Sequence, residues 1–151
     1  MKHILFLFTS ALIFGNCFSQ SLEGVWKGTY TVKGYYPNTT IENPNISADL
    51  KMEFILNNDS SYTIRSYKDM TDRDGNETTE VCAVFYRMIS SDSIYLEEMK
   101  IIKPENVPTI CLQKMHLKII KRKHSITLEG TWGTRSGECD NTGTINIYKK
   151  I

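Results

Sequence analysis

The sequence predicts an all-β protein, an up-and-down antiparallel barrel of about eight strands. Three observations lead there. Apolar and polar residues alternate with a period of two through most of the chain, while no stretch carries a convincing helical period. The connections between these runs alternate strictly in length, long at 34–46, 68–79, 103–110 and 133–141, short at 57–60, 90–93 and 121–124. In a meander, alternate connections lie at opposite ends, so all the long loops fall at one end and all the short turns at the other. Finally, Leu22-Glu23-Gly24-Val25-Trp26 near the start is echoed by Leu128-Glu129-Gly130-Thr131-Trp132 near the finish. Matching first and last segments suggest a sheet that closes on itself, which removes the edges that invite aggregation.

The chain has 151 residues, 40 % of them hydrophobic, enough for one domain with a real core. Its first 19 residues read as a secretory signal peptide. A basic head, Met1-Lys2-His3, precedes the apolar run from Ile4 to Phe14, then small and polar residues lead to cleavage after Ser19. The run is shorter than the ~20 residues needed to span a bilayer, so a signal peptide is preferred to a membrane anchor. Phe14-Gly15-Asn16-Cys17 faintly resembles a lipoprotein box, and lipidation at Cys17 is the alternative. Residues 20–151 are then a single barrel domain.

The first strand is centred on Val25-Trp26-Lys27-Gly28-Thr29-Tyr30-Thr31-Val32, with Trp26, Tyr30 and Val32 on one face. The second shows the clearest alternation, Ala48, Leu50, Met52, Phe54 and Leu56 against Asp49, Lys51 and Glu53. Asn57-Asn58-Asp59-Ser60 turns the chain into Tyr62-Thr63-Ile64-Arg65-Ser66. A fourth strand, Val81-Cys82-Ala83-Val84-Phe85-Tyr86, is apolar on both faces, so periodicity does not orient it. The segment Ile94 to Ile102 has some helical propensity, but its Ile and Tyr content and its neighbours favour a strand. Gln113, Met115, Leu117 and Ile119 form the inner face of the sixth strand, and Ile126, Leu128 and Gly130 that of the seventh. The last strand lies near Ile145.

Charge excludes some partners. Loss of Lys2 with the signal leaves 17 basic residues against 17 acidic ones, and a neutral chain gives no reason to expect nucleic acid or an anionic membrane. The cluster Lys118, Lys121, Arg122, Lys123 and His124 falls at a hairpin and reads as a solvated turn. Export leaves Cys82, Cys111 and Cys139, an odd number in an oxidising compartment. Topology brings Cys111, at the start of the sixth strand, to the same end as Cys139, in the loop after the seventh. The expected bridge is Cys111–Cys139, contributing about 3–4 kcal/mol, with Cys82 a buried, reduced residue.

Groups for catalysis are sparse, and no catalytic residue, metal ligand set or cofactor is expected. His116 and His124 have no partner at metal or triad spacing. Glu97-Glu98 sends one carboxylate to each face, so one of them can point inward. Asp72, Asp74 and Asn76 mimic a calcium loop, but Gly75 sits too early and Ala83 stands where a bidentate glutamate is needed. Asn38, Asn45, Asn58 and Asn76 head Asn-x-Ser/Thr sequons, relevant only in a host that glycosylates its exports.

Gly24-Val25-Trp26 on a first strand resembles the opening of lipocalin and avidin-like barrels. The later Leu128, Gly130, Trp132, Cys139, Gly143 and Ile145 are similar to small exported bacterial lipocalin-like domains. The resemblance implies a barrel that binds a small ligand, with a basic residue of the last strand, here Lys149, across the first-strand Trp. The biotin-contacting residues of avidins find no match, so biotin is not implied. The expected function is that of a secreted or periplasmic binding protein holding a small, largely apolar molecule at the long-loop end. Tyr30, Tyr35 and Tyr36 supply aromatic area there, and Arg135 a charge to orient a carboxylate. The alternatives are a protein-interaction or inhibitor barrel with a filled interior, and an enzyme, the less favoured reading.

Overall fold

The computed structural model describes residues 21–35, 42–71, 77–103, 111–135 and 141–151. These residues form eight strands: β1 Gly24–Tyr35, β2 Glu42–Leu56, β3 Tyr62–Thr71, β4 Glu77–Ser90, β5 Ser93–Lys103, β6 Gln113–Arg122, β7 Ser125–Thr134 and β8 Asn141–Lys150. Each pairs antiparallel with the next, and β1 pairs with β8 to close the barrel. The expected alternation in length holds from β4 onward, with β4 joined to β5 and β6 to β7 by two-residue turns, but the connections 57–61 and 72–76 are equally long. No helix among the described residues is long and apolar enough to cross a membrane.

The segment after Ser93 is strand throughout, as its Ile and Tyr content favours, and two local features go beyond the sequence reading. In β4, Cys82 and Val84 face the interior, while Phe85 is exposed on the outer surface. The strands also run further toward the long-connection end than expected. β3 continues to Thr71 and β4 starts at Glu77, paired through Lys68↔Glu80 and Asp69↔Thr79, where a loop over 68–79 is predicted. Ladder hydrogen bonds use backbone groups and do not depend on side-chain polarity, so a polar strand resembles a loop in sequence.

The interior divides into two halves. Trp26, Leu50, Met52, Phe54, Ile64, Ile94, Leu96, Met115, Leu117, Ile126, Leu128 and Ile145 fill the larger part and are almost wholly buried. Beneath them, the chain leading into β1 plugs the short-turn end. Trp26 donates its indole N–H to the Leu22 carbonyl at 2.9 Å. The Tyr62 hydroxyl receives the Leu22 backbone N–H at 3.2 Å. Lys149 of β8 lies over the Trp26 ring, 5.4 Å from its centroid, and donates to the carbonyls of Ser21 and Glu23. This is the basic residue across the first Trp that the resemblance implies. Its ammonium pKa is lowered, chiefly by burial, with Glu23 acting against that shift.

Trp132 performs a parallel task at the other end. It sits on β7 and donates its indole N–H across β8 to the Thr31 carbonyl of β1, at 2.8 Å. The bond passes over Gly143, the β8 partner of Trp132. A Cβ at Gly143 would stand 1.8 Å from the Thr31 oxygen and 2.5 Å from the indole nitrogen. Glycine is therefore required for this close approach. The two echoing Trp motifs thus latch opposite ends of the barrel, each through an indole N–H to a backbone carbonyl.

Candidate functional site

The long-connection half of the interior is polar, and the strands explain how. The inward faces of β3, β4 and β5 continue beyond their apolar residues into Ser66 and Lys68, Glu80 and Cys82, and Glu98. These residues belong to different strands and meet inside the barrel. Glu98 is wholly buried and Lys68 is 3 % exposed. Lys68 Nζ lies 2.9 Å from Glu98 Oε2 and 3.0 Å from Glu80 Oε1. Ser66 donates its hydroxyl to Glu98 Oε1 at 2.7 Å, and the Gln113 backbone N–H reaches Glu98 Oε2 at 3.1 Å. Glu98 is the inward member of the Glu97-Glu98 pair. Isolated charges are costly to bury, and this carboxylate is stabilised by an ammonium and two hydrogen bonds.

The electrostatics follow from that arrangement. Burial by itself lowers the Lys68 pKa, but Glu98 and then Glu80 outweigh it, and the net shift is upward. Burial followed by Glu98 pushes the Cys82 thiol upward, with Lys68 acting in the opposite direction. Cys82 is free and buried, as expected, and its Sγ lies 3.4 Å from Glu80 Oε1. A thiol held in its protonated form is a poor nucleophile. The ligand atoms of Glu80, Cys82 and Glu98 lie within 4.8 Å of one another, close enough to share a metal ion. In this structure the Lys68 ammonium already bonds both carboxylates, supplying the cation that such a set would otherwise recruit.

Above the cluster, a cavity of about 190 Å³ opens at the long-connection end. Tyr30, Val32, Lys68, Glu80, Cys111, Gln113, Trp132, Thr134 and Asn141 line it. Tyr30 meets Trp132 edge-on with ring centroids 6.1 Å apart. Burial raises the phenol pKa of Tyr30, with Lys68 acting against the shift and the two carboxylates adding to it. Gln113 Oε1 and Asn141 Oδ1 are buried with no hydrogen-bond partner. Buried acceptors are nearly always paired in folded proteins, and these two belong to residues that line one small cavity, whose side-chain amides carry both donors and acceptors.

Of the residues expected to bind, Tyr30 lines this cavity. Arg135 is turned to the outer surface, where its Nε pairs with Glu97 Oε1 at 3.0 Å. Tyr35 ends β1, and Tyr36 lies outside the described residues, as does Cys139, the expected partner of Cys111. Lys68, Glu80, Gln113 and Asn141 were not anticipated as site residues. One signal was available: Tyr62, Ile64, Ser66 and Lys68 keep a single period of two, as do Glu80, Cys82 and Val84. Comparison of the sequence with known protein families and with curated proteins finds no match, so the functional reading rests on this geometry.

Proposed function

We propose that the protein is an exported binding protein, lipocalin-like in architecture, that holds one small molecule at the long-connection end of its barrel. The observation that carries this reading is a cavity walled by Tyr30 and Trp132 and lined by Gln113 and Asn141, whose side-chain oxygens are buried without a hydrogen-bond partner. Clefts that take drug-sized ligands run to about 300–1,000 Å³, and this one is smaller. Below it the interior is filled by Trp26, Phe54, Leu96 and their neighbours. That filling leaves room for a small molecule, and the polar side chains of the lining favour one that forms hydrogen bonds over the largely apolar molecule expected from sequence.

Extraction of the protein purified from its own host, followed by mass spectrometry, should release a small molecule. The double variant Gln113→Met/Asn141→Leu should release none while melting at the same temperature or higher, because it removes unsatisfied buried acceptors. The filled interior also favours a second reading, a protein-interaction barrel. Release of no small molecule, together with cross-linking to one protein partner through the same end, would select it.

Export through cleavage after Ser19 and a Cys111–Cys139 bridge tethering the last connection belong to the same proposal, with lipidation at Cys17 the alternative form of export. Intact-mass and peptide mapping of the mature protein tests them together. The expected result is a chain beginning at Gln20, Cys111 linked to Cys139, and Cys82 resistant to alkylation at pH 8 until the barrel is unfolded. A Cys82–Cys111 link, or rapid labelling of folded Cys82, would overturn the cysteine assignment.

A further inference from the structure

We propose that the short-turn end of the barrel is a docking surface for an anionic lipid bilayer, so that the cavity at the opposite end stays open to solution. The inference goes beyond the binding reading and does not depend on it. Three observations at this end lead to it.

The first is where apolar surface is left uncovered. Of the nine large hydrophobic side chains exposed among the described residues, six are Val25, Ile55, Leu56, Phe85, Met88 and Ile89, each 40–52 % exposed. They belong to the first two residues of β1, the last two of β2 and the last six of β4. In a meander those strand ends all fall at the short-turn end. Exposed apolar side chains scattered singly are ordinary, but a group gathered at one end marks a surface that meets a partner or a membrane.

The second is charge. The charges of the mature chain balance overall, yet they are not spread evenly. Lys121, Arg122 and Lys123 at the β6–β7 turn and Lys150 near the end of β8 are exposed, and none forms an ion pair among the described residues. Arg122, Ser125 and Lys150 share one row of the sheet, which joins the turn and the strand end in a single basic crescent. The acidic residues of this end, Glu23, Asp59 and Asp92, stand on other connections, and Asp59 and Asp92 each accept a local serine hydroxyl. A soluble polyanion would meet the cations and leave the apolar side chains wet. The headgroup region of an anionic bilayer accepts both.

The third is the path of the chain. Ser21 is fixed at this end, its hydroxyl bonded to the Tyr62 hydroxyl and its carbonyl to the Lys149 ammonium. Cys17 precedes it by four residues, a reach of at most about 14 Å. A chain drawn through a membrane by the residues before Ser21, or held to one by a lipid on Cys17, therefore meets the bilayer with its short-turn end.

Flotation of the unlipidated mature protein, residues 20–151, with lipid vesicles tests the surface by itself. Vesicles of phosphatidylcholine with about a third phosphatidylglycerol should carry the protein upward at low salt, and vesicles of phosphatidylcholine alone should not. Lys121→Gln/Arg122→Gln/Lys123→Gln should weaken binding on the order of a hundredfold, at roughly fivefold for each charge near the surface, with the melting temperature unchanged. Lys33→Gln/Lys103→Gln, which removes the same kind of charge at the long-connection end, should bind as the parent does. An environment-sensitive fluorophore on Ile89→Cys should shift to the blue with the mixed vesicles, and one on Lys103→Cys should not. Absence of vesicle binding, binding that ignores phosphatidylglycerol, or a blue shift from Lys103→Cys in place of Ile89→Cys would overturn the docking surface. Capture by soluble heparin without vesicle binding would overturn the lipid assignment. None of these outcomes bears on the cavity, which extraction of the purified protein tests separately.

Discussion

Replacing Lys68 by Met should destabilise the barrel by about 3–5 kcal/mol, the cost of leaving a buried charge without its partner. Met matches the length of the lysine stem, so the loss is electrostatic and not a cavity effect. Without the ammonium, Glu98 keeps Ser66 and the Gln113 N–H but has no counter-charge, and Glu80 faces it across the vacated position. Urea unfolding of the two proteins measures the difference. Adding Glu98→Gln to Lys68→Met should recover part of the loss, because position 98 is then neutral and still accepts from Ser66 and Gln113, and only the partly exposed Glu80 is left without its ammonium. A single variant within 1 kcal/mol of the parent would show that the cluster is hydrated and the cavity more open than described, about the value of an exposed pair.

The same cluster sets an alkaline boundary. Lys68 has a folded pKa above its ordinary 10.5. The stability contributed by its charge is therefore complete below that ordinary value and is withdrawn only as the pH rises through the raised folded one. The gap between the parent and Lys68→Met should thus be constant between about pH 7 and 9.

Trp26→Ala is expected to cost a similar amount, about 3–5 kcal/mol, by a different mechanism. The ring is fully buried, tilted against Phe54 with centroids 5.7 Å apart, and covered by Lys149. Its removal opens a void that neighbouring strands cannot collapse into, because the closed ladder fixes their spacing. It also leaves the Leu22 carbonyl without its donor. Trp26→Phe separates these contributions, since it keeps most of the ring volume and loses only the hydrogen bond, for about 1–2 kcal/mol. Thermal or urea melts of both variants provide the measurement. If alanine and phenylalanine were equally damaging, the indole hydrogen bond and not the packing of the ring would hold the plug.

Closure, strand number and the segregation of long and short connections were all legible in the residues. Alternation of period two survives wherever an inward face is apolar, as from Ala48 to Phe54 or from Met115 to Ile119, because burial against the core demands it. The two Leu-Glu-Gly-x-Trp segments marked β1 and β7, the strands that flank β8 at the closure, since a large aromatic with one polar atom suits a barrel end. The inward polar residues were hidden. Lys68 and Glu80 lie on strand extensions that read as loop, and β4, apolar on both faces, gave no orientation to place Cys82 and Glu80 inside.

A lysine buried in a barrel is intelligible only with its counter-charges, and these come from β4 and β5, at distances no linear pattern encodes. Arg135 shows the converse. In sequence it is a free cation in a loop beside the mouth, but in space Glu97 of β5 captures it on the outer wall. The sequence by itself determined which faces turn inward on the strands with a single apolar face, and that the sheet closes, because hydrophobic burial acts on every second residue along a strand. Only the tertiary structure decided where the charges stand, because an ion pair between strands is fixed by register and closure, and neither is local.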